Sequence, residues 1–126
     1  MKTSSRRALL ASALMALGTA YVWGGSGDVD KREYVCMMQD MVLEKPGVAI
    51  LYRGKTYYGC CTMCKARIEA SPDEYTRSVD PVSGKTVDKA SAFVYNLNGD
   101  AFYFATRANR KAFGTAPARF LKKHKP

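Results

Sequence analysis

Val48-Ala49-Ile50-Leu51-Tyr52-Arg53-Gly54-Lys55-Thr56-Tyr57-Tyr58-Gly59-Cys60-Cys61-Thr62-Met63-Cys64 reads as two strands, a tight turn and the start of a helix. Val48 to Tyr52 and Thr56 to Gly59 are rich in β-branched and aromatic residues, which suit a pleated half-buried surface, and Arg53-Gly54 between them supplies the turn. Thr62 is the expected N-cap of the helix that follows, and Pro72 its expected stop. The same reading recurs downstream. Phe93 to Leu97 and Ala101 to Phe104 flank Asn98-Gly99, the strongest short hairpin signal. Thr106 and Gly114 are the matching cap and stop, and Ile68 and Phe113 occupy matching helix positions expected to face their hairpins.

The two stretches align at an offset of 45 residues: Gly54-Lys55-Thr56-Tyr57-Tyr58 on Gly99-Asp100-Ala101-Phe102-Tyr103, and Ser71-Pro72-Asp73-Glu74-Tyr75 on Ala116-Pro117-Ala118-Arg119-Phe120. Upstream, Val35-Cys36 falls on Val82-Ser83 once two loop residues are dropped. A fixed internal period of this kind predicts one supersecondary unit used twice. The expected architecture is α+β: two small β-hairpin–helix units, residues 33–77 and 78–126, packed together after an N-terminal signal helix.

The 126-residue chain is 47% hydrophobic and 25% charged, as a folded protein should be, with a formal charge of +9. Three basic residues, Lys2, Arg6 and Arg7, open the chain and precede an apolar run from Ala8 to Ala20, interrupted only by Ser12 and Thr19. Gly18-Thr19-Ala20 offers small residues for cleavage. Residues 1–22 therefore read as an export signal or anchor. Ser5-Arg6-Arg7-Ala8-Leu9 fits a twin-arginine signal, and an ordinary signal with two arginines fits as well. Residues 23–32, with Gly24-Gly25-Ser26-Gly27-Asp28, read as a flexible linker. Export places the folded part in the periplasm or outside the cell, with membrane contact only through an uncleaved N-terminus. The remaining basic residues are dispersed apart from the tail (Arg119, Lys122, Lys123, Lys125) and do not alternate with aromatics, so a nucleic-acid groove is not expected.

Chemistry concentrates in the cysteines. Cys60 and Cys64, four apart at a helix start, should point to one side of its first turn, where backbone N–H groups favour thiolate. Cys36 precedes the hairpin, which can fold it over the helix to the same point. Two ligands from a helix start and one from an earlier knuckle make a small treble-clef-like metal site.

Cys36-x23-Cys60-x3-Cys64 with Gly-Lys-Thr-Tyr-Tyr-Gly-Cys-Cys at 54–61 resembles the TRASH domain, a three-cysteine module linked to heavy-metal sensing, trafficking and resistance. Its spacing before Cys60 is slightly longer than the family's usual pattern. Asp80-Pro81-Val82-Ser83-Gly84 followed by Phe102-Tyr103-Phe104 is similar to the YHS domain, which commonly carries cysteines where this chain has Ser83, Ala105 and Asn109. The resemblance implies a metal-binding first unit and a degenerate second one.

Ligand softness narrows the metal. The lone histidine, His124, lies in the tail, whereas Met37, Met38 and Met41 surround Cys36, and Met63 precedes Cys64. Thiolate with thioether selects Cu(I) over harder divalent ions, with Zn(II) or another soft metal as alternatives. Cys36, Cys60 and Cys64 are the expected ligands. Cys61, Met37, Met38 and Met41 are further candidates, and Met63 reads as hydrophobic filling. Two other accounts of the cysteines stay open: disulfide staples, or a structural metal site, in an interaction module, and Cys61-Thr62-Met63-Cys64 as a redox dithiol. No Ser–His–Asp set or phosphate loop is available, so the expectation is a non-enzyme that exchanges its ion with a metal-donor or metal-acceptor protein.

Overall fold

The computed structural model describes residues 25–122; the expected export signal and the last four residues of the tail lie outside them. In chain order the elements are β1 (Gly27–Val29), β2 (Val35–Cys36), β3 (Met41–Val42), β4 (Val48–Tyr52), β5 (Lys55–Gly59), α1 (Met63–Ala70), α2 (Pro72–Thr76), β6 (Arg77–Val79), β7 (Thr86–Asp88), β8 (Phe93–Leu97), β9 (Asp100–Phe104), α3 (Arg107–Thr115) and α4 (Pro117–Leu121). The chain is α+β with small antiparallel sheets. Among the described residues no helix is long and apolar enough to cross a membrane.

Both hairpins close through two-residue turns with positive φ at each central position: 48° and 76° at Arg53-Gly54, 52° and 96° at Asn98-Gly99. That geometry matches the twist of paired strands. Asn and Gly accept it readily, and Arg53 accepts it at a cost. Each hairpin leads into a helix and then a five-residue helix begun by proline, whose fixed φ suits a first helical position. β4 and β8, β5 and β9, and α2 and α4 all start 45 residues apart.

The sheets do not divide at residue 78. β4–β5 and β6–β7 are two-stranded, whereas the five-stranded sheet runs β1-β8-β9-β3-β2 and takes strands from across the chain. Gly27–Val29, expected in a linker, pairs antiparallel with Val94–Asn96 and covers an edge that would otherwise expose backbone donors and acceptors. Arg110 fastens this strand through Asp28 (3.4 Å) and Asp30 (3.1 Å).

Two hydrophobic clusters form the core. One gathers Val35, Cys36, Met37, Ile50, Tyr57, Cys64, Ile68, Val94 and Tyr103. The other centres on Phe113, whose ring lies 5.1 Å from those of Phe102 and Phe104 and 5.5 Å edge-on from Tyr95. Gly114 does not stop α3, because the helix continues to Thr115; a side chain there would meet the Tyr95 ring at 2.8 Å. Of the two expected caps, Thr106 accepts from Asn109 N, while Thr62 is already helical (φ −64°) and caps nothing.

Asp80 is wholly buried and organises the turn before β7. Its Oδ1 accepts from Val82 N (2.7 Å) and Ser83 N (3.2 Å), and its Oδ2 from Ala105 N and Asn109 Nδ2 (both 2.9 Å). Burial opposes ionisation, but the four donors outweigh it and hold the carboxyl below the usual carboxylate range.

Candidate metal centre

Cys36 ends β2, Cys60 lies on the bend after β5, and Cys64 is the second residue of α1. Their sulfurs all lie within 4.8 Å of one another, and the set contains no histidine or carboxylate. Cys60 is outside the helix rather than in its first turn, so convergence comes from the bend and not from helical spacing. All four cysteines are free thiols, with Cys36 and Cys64 buried and Cys60 and Cys61 exposed.

Two local features bring the sulfurs together. Met37 N donates to Tyr58 O at 2.9 Å, and Tyr58 N donates to Met37 Sδ at 3.5 Å, which laces the end of β2 to β5. Gly59 then lets α1 approach: a Cβ at this position would overlap the Cys64 side chain, 2.7 Å from its Sγ. The sequence signal for this close approach is a glycine directly before two cysteines. The knuckle that presents Cys36 is a tight antiparallel turn with Asp40 at φ 52°, tied to β9 by Ala101 N donating to Asp40 O at 2.8 Å.

The donor set fits a soft ion. Metal–thiolate bonds of about 2.3 Å put three sulfurs around one ion about 4 Å apart, a separation that this cluster allows with little movement. Three sulfurs without hard donors fit a soft ion such as Cu(I) or Zn(II). In the thiol state, hydrogen bonding to Cys36, followed by burial and the proximity of Cys64, pushes Cys60 up to about 12. Protons must therefore leave as a metal enters.

Cys61 is not one of the three mutually close sulfurs, but its Sγ lies 3.8 Å from that of Cys64. The Met63 backbone N–H, then Cys64, lower its pKa, as a helix N-terminus should. Of the methionines, Met37 is fully buried with its thioether occupied by Tyr58 N–H, and Met38 is packed in the core. Met41 pairs with Cys36 across β2–β3, which puts their side chains on one face. Met63 is 68% exposed and fills nothing, contrary to its sequence reading.

No family model, curated protein or solved structure matches this chain.

Proposed function

We propose that the chain is an exported, non-enzymatic carrier of a soft metal ion, Cu(I) first, that buffers the ion or passes it between a donor and an acceptor protein. The observation that carries this reading is the meeting of Cys36, Cys60 and Cys64 sulfurs within 4.8 Å, two buried and one exposed. The buried pair provides a dry thiolate environment. The exposed Cys60 leaves one side open to an incoming ligand, which suits transfer more than a closed four-ligand zinc site would. On this reading residues 33–77 form a TRASH-like unit. Residues 78–126 are a degenerate YHS-like unit in which Asp80 ties together Ser83, Ala105 and Asn109. The equal spacing of the hairpins and short helices supports descent from one unit. The dispersed basic residues form a solvated surface rather than a nucleic-acid groove, and only the N-terminal segment meets a membrane.

The test is anaerobic purification, metal analysis, and titration with Cu(I) and Zn(II). One equivalent of Cu(I) that outcompetes Zn(II) supports the reading. Loss of the fold in C60S and C64S would support a structural metal site instead. The 3.8 Å approach of Cys61 and Cys64 favours a second reading, a redox dithiol. A defined reduction potential for that pair, with no metal uptake, would establish it.

A further inference from the structure

Lys89 is 2% exposed and lies against the turn that follows Cys36. Its Nζ donates to the Met37 carbonyl oxygen at 2.7 Å and to Asp40 Oδ1 at 2.6 Å. Both acceptors belong to the knuckle that presents Cys36. The remaining face of the ammonium lies 5.1 Å from the centre of the Tyr103 ring. Two acceptors of the knuckle and an aromatic ring within cation–π range thereby surround the ammonium. Burying an ammonium is expensive, and a plain turn of this length needs no such clamp.

We propose that Lys89 positions Cys36 and compensates charge at the three-sulfur site, which favours a monovalent soft ion over a divalent one. This rests on the metal-carrier reading. Three thiolates around a monovalent ion carry a net charge of −2, and around a divalent ion −1. A fixed positive charge stabilises the first about twice as much as the second. Asp40 offsets part of that field, but its side chain is 48% exposed and screened by water, whereas that of Lys89 is 3% exposed.

Anaerobic chelator competition on the full chain, with Cu(I) and Cd(II) as probes, tests this. K89M is expected to weaken Cu(I) binding about 10–100-fold, the range for losing a group that orients a ligand, and Cd(II) by about half as much on a logarithmic scale. D40N keeps the left-handed backbone that asparagine tolerates and leaves Lys89 unopposed, so the Cu(I):Cd(II) affinity ratio should rise. R110M removes another buried cation, one that bonds to no part of the knuckle, and should leave the ratio unchanged. A folded K89M with an unchanged ratio overturns the inference. If K89M does not fold, D40N decides: a rise supports the inference, and no change or a fall overturns it. A wild-type chain that takes up neither ion removes the metal reading itself, and this inference with it.

Discussion

Asn109 Nδ2 donates to Asp80 Oδ2 at 2.9 Å, 45 residues after the position where Cys64 offers its sulfur. Ala105, the same distance after Cys60, gives its backbone N–H to the same oxygen, and Ser83, the counterpart of Cys36, gives its own to Oδ1. Three points gathered by thiols in one half are gathered by a carboxylate in the other. One half brings three free thiols together, and the other joins the equivalent points by an internal cross-link.

Removing that carboxylate leaves three part-buried backbone donors and an amide without an acceptor. D80A should lower stability by about 3–5 kcal/mol, measured by urea denaturation, with no direct effect on the sulfurs. The pH dependence follows from the direction of the shift. Because the folded state holds Asp80 below its usual range, its stabilisation is present above the unfolded value near about 4 and is lost as pH falls through the lower folded value. Asp88 adds in the same sense: burial opposes its ionisation, but the Lys55 ammonium at 2.6 Å and the Ala90 N–H outweigh it. D80N should melt less steeply with acid than wild type, and an identical acid limb would contradict this account.

Arg53 holds φ 48° where its counterpart in the second hairpin, Asn98, holds 52°. A left-handed conformation strains an arginine, and asparagine relieves it through its short polar side chain. R53N should raise stability by up to about 1 kcal/mol, reduced by loss of the guanidinium stacked 5.2 Å over Tyr52. A lower unfolding midpoint in R53N would mean that the stacking outweighs the strain.

The hairpins were legible from local signals, alternation and Asn98-Gly99, and the three-sulfur set from the Cys60–Cys64 pair together with a hairpin able to fold the distant Cys36 over it. The five-stranded sheet was not legible. β2 and β3 are two residues each and β1 is three, too short for any period to register, and β1 and β3 join the sheet through β8 and β9, far along the chain. Thr62 failed as a cap because the bend that carries Cys60 and Cys61 already supplies the helical entry. Lys89 was invisible for a related reason: a lysine after Asp88 reads as surface until folding puts it under the Cys36 knuckle.

Single substitutions separate the sulfurs by role. C36S, C60S and C64S should each lower Cu(I) affinity by at least about tenfold, while C61S, outside the set, should retain most of it. G59A is the sharper test of geometry, since its methyl group must push α1 away from β5. It should weaken binding as much as a lost ligand while leaving all four thiols titratable. Equal affinity in G59A and wild type would mean that the sulfurs need not meet as drawn.

Metal uptake should depend steeply on pH. With Cys60 held up to about 12 by its neighbours, that thiol is protonated throughout the neutral range and must release a proton to ligate. Each proton so displaced raises apparent affinity about tenfold per pH unit, so Cu(I) binding should strengthen at least tenfold between pH 6 and pH 7. Without metal the same shift acts on folding in the opposite direction. A raised thiol pKa contributes stability below the unfolded value near about 8.5, and that contribution disappears as pH rises towards about 12. Alkali should therefore loosen the metal-free protein while it tightens the metal's hold. A chelator competition run at several pH values, paired with melting curves of the metal-free chain, reads both trends. Affinity that stays flat across the neutral range would show that the ligating sulfur at 60 is already a thiolate, and the clustered-thiol account of the site would fall.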